Sequence, residues 1–314
     1  MCKRQLALGT RGGVRNLVAF TLLFLLTACT PESGNTLQVK STHTFSIPAI
    51  DTTFPGPRSI TFGPDGMAYV LDNGGRVLTY DRSGACVNRW FMPAYDVGRP
   101  EGIEVTRDGQ HLTVCDTHYH RILQFALDGT EINRFGSRGT GPSQFEFPVA
   151  VTQDDQDFLY IAEYGGNDRI QKFTRSGEHV LTFGSFGTGP GQFQRPSGMV
   201  WHDGLIYIAD AINNRIQIFT DEGLFHAELQ DAEHPWSLRF PYDITLCKED
   251  SLIIVEYAAG RITRVGLDGK LMGRFGTSGY GAGQMTTPWG LDVDDALRVL
   301  VADTGNRRLV EIQL

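Results

Sequence analysis

Six prolines set the frame of this 314-residue chain. Pro57, Pro100, Pro148, Pro196, Pro241 and Pro288 follow one another at intervals of 43, 48, 48, 45 and 47 residues, and each opens a similar stretch. The clearest copy, residues 196–223, reads PSGMVWHDGLIYIADAINNRIQIFTDEG. Its β-branched and aromatic runs at 197–201, 204–209 and 215–219 are separated by polar turns, the pattern of consecutive antiparallel strands. A repeat in the forties that carries three or four strands is not a helical solenoid, which would show an apolar stripe every 3.6 residues or so. No such stripe occurs after residue 30. The chain is therefore expected to be all-β, a β-propeller of six blades. Composition agrees, with 37 glycines for many turns and 41% apolar residues for a packed core.

At the close of the second strand the repeats place an acid: Asp72, Asp116, Glu163, Asp210, Glu256 and Asp303. Four to six residues on stands an arginine: Arg76, Arg121, Arg169, Arg215, Arg261 and Arg308. Over residues 57–314 this pattern resembles the NHL repeat, named for its Asn-His-Leu consensus. The first two letters survive best as Asn214-Arg215 and Asn306-Arg307, and the His is mostly replaced. The resemblance implies a six-bladed propeller, the number counted above. Because acid and arginine recur in every blade, they are expected to hold the blade together as charge-assisted pairs or by satisfying turn amides. A ring of acids around a cation is the alternative.

Residues 37–47 belong to no complete repeat, yet Val39, Thr42, Thr44, Phe45 and Ile47 give them strand-like content. The last repeat stops after its third strand, and a propeller must close its ring to leave no open edge. The segment is therefore expected to supply the missing strand beside residues 308–313, so that the propeller spans 37–314.

The first residues read differently. Lys3, Arg4, Arg11 and Arg15, with no acid, precede an apolar run at 17–26 that is short for a bilayer span. The run ends in Leu26-Thr27-Ala28-Cys29, which resembles the bacterial lipobox. That resemblance implies a lipoprotein signal over 1–28, acylation of Cys29, and a short tether over 29–36. Thr30 stands where the inner-membrane retention signal would place an Asp, so the expected location is the cell envelope, on the outer membrane facing the periplasm, with the lipid as sole membrane contact. The formal net charge of −8 falls to about −12 without the four basic residues of the signal. Such an acidic, exported chain is unsuited to nucleic acid, whose binding depends on neutralising phosphates. Cys86, Cys115 and Cys247 remain, spread over distant repeats, with no disulfide framework in their spacing.

Function is expected where repeats differ. The residues after the opening prolines should face one rim of the central channel: Arg58, Glu101, Val149, Ser197, Tyr242 with Asp243, and Trp289. In a six-blade ring the second and fifth repeats are opposite, which sets Glu101 against Asp243. Two readings stand for this polar and aromatic lining: a small-ligand site, or a solvated mouth with an Arg58–Glu101 ion pair. His118 and His120, in the loop after the second strand of repeat two, complete the candidate ligand-binding set; a metal there would need a third ligand that no repeat supplies at the matching place. The Gly-rich stretches after Phe135, Phe183 and Phe275 precede no helix and are expected to be inter-blade turns, not phosphate cradles.

The peptide-amidating lyase also resembles NHL propellers, and it uses channel-facing histidines on zinc. Arg58 and Tyr242 match it in residue type, but no His stands among the channel positions here. Lactonase-type propellers gather acids around calcium, for which Glu101, Asp243, Glu163 and Glu256 are available. The expected function is a binding module, without cofactor, that takes an envelope protein or a small ligand on its loop-rich face. The alternative is a metal-assisted lyase or hydrolase at the channel mouth, with zinc or calcium.

Overall fold

A computed structural model describes residues 36–314. The signal, Cys29 and the tether before residue 36 lie outside the described residues. Six four-stranded antiparallel sheets follow one another, one for each opening proline. Blade one comprises Pro57–Phe62, Ala68–Asp72, Arg76–Tyr80 and Cys86–Phe91, from the channel outwards. Blade two comprises Gly102–Val105, His111–Asp116, Arg121–Ala126 and Glu131–Phe135. The innermost strands of the remaining blades are Phe147–Gln153, Pro196–His202, Pro241–Cys247 and Leu291–Val293. Neighbouring inner strands contact each other around the whole circle, the sixth against the first. Among the described residues the helical content is two single turns of 3-10 helix, Thr117–Tyr119 and Thr304–Asn306.

The ring closes as the repeat count requires. Ser41–Ser46 pairs antiparallel with Arg308–Gln313, from Ser41 opposite Gln313 to Ser46 opposite Arg308, and forms the outer strand of blade six. The strand is narrower than the segment 37–47, because its flanks have other work. Leu37 is buried between blades five and six, and Ile47 between blades six and one. Burying an aliphatic side chain of this size stabilises a fold by roughly 1.5–3 kcal/mol, so the segment joins two cores as well as one sheet.

Hydrophobic packing is divided among six clusters, each shared by two adjacent blades. The centre is left to the channel. What aims side chains into it is a local irregularity just after the opening proline. In blades one, three and five the ladder skips one residue there: Pro57 faces Asp72 and Ser59 faces Leu71, which leaves Arg58 extra, and Val149 and Tyr242 are extra in the same way. A bulge of this kind turns a side chain out of the sheet, and a proline without N–H tolerates the strand start.

Each acid–arginine couple forms an ion pair within its blade, at 2.6 Å for Asp72–Arg76 and 2.7–2.9 Å for the other five. Three of the arginines also reach back to the preceding Gly-rich turn. Arg169 donates to Thr140 O and Gln144 O, Arg215 to Gly189 O and Gln192 O, and Arg308 to Gln284 O. The paired acid receives the N–H at the end of the same turn, as Glu146 N on Glu163 and Thr286 N on Asp303. The couples therefore splice successive blades, and the Gly-rich stretches close as inter-blade turns through short parallel pairs such as Ser137–Arg138 with Gln144–Phe145.

Candidate functional site

The channel is lined by the inner strands of all six blades and encloses about 210 Å³. Arg58, Glu101, Tyr242, Asp243 and Trp289 all contribute to its wall. At the mouth the organising group is Glu101, a carboxylate almost wholly out of solvent. Arg58 Nη1 donates to its Oε1 at 2.8 Å, and the Tyr242 hydroxyl lies 3.4 Å from Oε2. Arg195 Nη2 stands 3.7 Å from that same Oε2 and donates to the Tyr242 hydroxyl at 2.7 Å. One carboxylate thus serves two guanidinium groups, from blades one and four, and one phenol from blade five.

Aromatic rings lie beside both cations. The Arg58 guanidinium lies 4.2 Å from the centre of the Trp289 ring, and that of Arg195 lies 4.0 Å from the centre of Tyr164. A guanidinium this close to a ring centre is electrostatically favourable. Tyr242 meets Trp289 edge-on at 4.9 Å, and Tyr257 and Phe240 extend the cluster. Burial, followed by the charge of Glu101, pushes the Tyr242 and Tyr164 phenols up, so both remain protonated. Burial works against the charge of Arg195, but Tyr242, Tyr164 and Glu101 more than offset it and hold the guanidinium protonated.

Three residues further along the inner strands, about 10 Å deeper at the rise of a strand, the lining changes character. The series four beyond each opening proline reads Thr61, Glu104, Thr152, Val200, Thr245 and Asp292. Thr245 Oγ1 and Phe62 N each donate to Asp292 at 2.7 Å, while Thr152 Oγ1 lies 3.4 Å from Glu104. Burial, then the charges of Asp292 and Asp243, pushes the Glu104 carboxyl well up, and burial raises Asp292 as well.

Asp243 belongs with this deeper group. It does not face Glu101 across the mouth: its carboxylate accepts the N–H groups of Ile244 and Leu291, at 2.9 and 3.1 Å, between two inner strands. The reason is the bulge, which sends Tyr242 into the mouth and returns Asp243 to the ladder opposite Val255. Burial, opposed by those two N–H groups and reinforced by Asp292, raises the carboxyl to about 7.

The structure does not bring His118 and His120 into the channel. His118 Nδ1 accepts the N–H of Arg99 at 3.2 Å, His120 Nδ1 meets the carbonyl of Glu146, and both rings lie against Phe147. They pack between blades two and three. Glu163 and Glu256 are buried against Arg169 and Arg261 and do not converge with Glu101. Among the described residues, no group of three or more His, Cys, Asp and Glu side chains comes together at metal-ligating distance. Cys86, Cys115 and Cys247 are free thiols.

Reasoning on the sequence missed Arg195, Glu104 and Asp292. The two acids were legible in principle, since they stand four places after the proline, where three of the six repeats carry a threonine. Arg195 gave no such signal, because it precedes its proline and reaches the mouth only through the left-handed backbone at its own position, φ 62°.

No family model and no curated protein matches this sequence. Its fold does match solved structures. Virginiamycin B lyase from Staphylococcus aureus aligns at a TM-score of 0.62 with 15% identity, covering 87% of this chain and 99% of that one. Hydrazine synthase of Kuenenia stuttgartiensis aligns at 0.59 with 16% identity over 85% and 99% of the two chains. The nidogen/laminin complex gives 0.60 with 17% identity over 83% and 98%. At such identities the likeness establishes the six-bladed propeller fold and nothing finer.

Proposed function

We propose that this protein is an NHL-type propeller held on the bacterial envelope by a lipid on Cys29, on the outer membrane facing the periplasm, and that it works as a binding module whose site is the channel mouth. The observation that carries the reading is the assembly around Glu101. Arg58, Arg195 and Tyr242, drawn from three blades, converge there between aromatic walls. A concave site with a few convergent polar groups and aromatic sides is the usual form of a ligand pocket. Neighbouring folds include a lyase and a complex of two proteins, so architecture alone does not decide between catalysis and binding. What supports binding is the convergence of two guanidiniums, a carboxylate and a phenol between aromatic rings.

Envelope extract passed over the immobilised protein tests the site. A ligand or partner retained by the native chain and lost with Trp289→Ala supports it; retention unchanged by Trp289→Ala and Glu101→Ala alike places the site elsewhere. Labelled palmitate incorporated by the native chain and absent from Cys29→Ser tests the anchor. Zinc or calcium bound stoichiometrically would instead favour the metal-assisted lyase or hydrolase.

A further inference from the structure

Resting on the reading of the mouth as a ligand site, we propose that its ligand is a small carboxylate whose apolar part lies on the aromatic wall formed by Tyr242, Tyr257 and Trp289. The first argument is the balance of charge. Arg58 and Arg195 bring two positive charges to the mouth and Glu101 brings one negative charge. The other positions of that ring, Val149, Ser197, Tyr242 and Trp289, are uncharged. A chain of net charge −8 therefore holds a local positive excess where its channel opens.

The second argument is the sign of the unanswered hydrogen-bonding groups. In the wall of the mouth the buried polar atoms without a partner are Arg195 Nε and Trp289 Nε1, and both are donors. A buried donor without an acceptor is costly, and native structures that contain one usually reserve it for something. A ligand that brings acceptors matches the sign of both; one that brings donors matches neither. Beside Trp289 and Tyr164 the two guanidiniums carry several N–H donors between them, the donor type that suits a carboxylate.

The third argument is size and depth. At about 210 Å³ the channel is below the range of drug-sized pockets, so the ligand is small. Beneath the mouth the charged-type residues of the lining are Glu104, Asp243 and Asp292, so that stretch offers an anion no cation to bind. An anion entering from the loop-rich face thus stops beside Arg58 and Arg195. Glu101 already occupies part of that place, so the protein's own carboxylate competes with the ligand's.

Three probes of one shape and different charge test this on the full chain in detergent: benzoate, benzamide and benzamidine, titrated calorimetrically with tryptophan fluorescence as a second readout. Benzoate is expected to bind, benzamide about tenfold more weakly, and benzamidine not at all, from the strength of a charge-assisted hydrogen bond. Glu101→Gln is expected to tighten benzoate several-fold, and Arg195→Gln to weaken it about tenfold. If Arg195→Gln does not fold, Arg58→Gln carries the same expectation. Benzamide or benzamidine binding as well as benzoate, with affinity that still responds to the mouth variants, overturns the carboxylate and leaves the ligand site standing. Benzoate weakened by Glu101→Gln overturns it likewise. No binding of any probe by the native chain or by Glu101→Gln overturns both readings.

Discussion

Tyr242 and Glu101 are 141 residues apart in the chain, and across the channel the phenol oxygen of one comes within 3.4 Å of the carboxylate of the other. They sit in blades five and two, opposite positions of the ring. Arg195 completes the contact from blade four by donating to the same phenol. The mouth is consequently spanned by a polar link, and several blades share one buried negative charge.

That link has a measurable worth. In Tyr242→Phe the ring and its contacts with Trp289 remain, but Arg195 Nη2 loses its acceptor. The expected cost is roughly 1–3 kcal/mol, the penalty for stranding a donor of this kind. Denaturant unfolding of the native and substituted chains measures it, and identical midpoints would show that Arg195 finds water instead.

Neighbouring inner strands leave no room for a Cβ at Gly102, Gly198 and Gly290, each two residues after its opening proline. A Cβ on Gly198 would lie 2.5 Å from Asp243 Oδ1 and 2.6 Å from the Asp243 Cα; one on Gly290 would lie 2.8 Å from the Cα of Ser59. Blades one, three and five place Ser59, Ala150 and Asp243 at the equivalent position, so glycine alternates with a larger residue around the ring. Gly198→Ala is expected to destabilise by roughly 1–3 kcal/mol through overpacking, whereas Ala150→Gly leaves the ring free of any clash. Thermal melts that rank the two the other way would refute the alternation as a packing requirement.

Removal of residues 36–48 takes away the outer strand of blade six and pulls Leu37 and Ile47 from two cores. The expected outcome is loss of the cooperative melt, because the strand Arg308–Gln313 is left as an exposed edge. A truncated chain that melts like the full one would sink the idea that closure is essential.

The deeper acids make stability depend on pH. In an unfolded chain an aspartate titrates near 3.9, whereas in the fold burial lifts Asp243 to about 7. Between those values the unfolded chain has released a proton that the folded one keeps. The contribution of Asp243 to stability is therefore full below about pH 4 and is lost as pH rises towards 7, with a slope of at most about 1.4 kcal/mol per pH unit. Glu104 and Asp292, both raised, act in the same direction. Asp243→Asn should flatten the fall of stability across this window, whatever its effect on absolute stability; a slope equal to that of the native chain would contradict the assignment.

Recurrence made much of the fold readable. The opening prolines located the blades, the acid and arginine spacing located the within-blade pairs, and the unpaired third strand of the last repeat called for residues 37–47. The site was readable only by position. Arg58, Glu101, Tyr242 and Trp289 could be placed at the rim, because a strand start recurs at one height. Asp243 was set one place wrong for want of the bulge, and the His118 and His120 pair was given to the face although Phe147 holds both rings between blades.

What the sequence by itself determined is therefore the repeating part of this protein: six blades, their strand order, and a closing strand from the other end of the chain. Those features follow from period and local pattern, which act over tens of residues. The tertiary structure alone decided that Glu101 answers two arginines, that Arg195 belongs to the mouth, and that Asp243 lies with Glu104 and Asp292. The physical reason is that each of these contacts joins different blades, so its geometry depends on how the ring closes and on single-residue bulges at the channel. A bulge shifts a side chain from one layer to the next, and it leaves no periodic trace in the sequence.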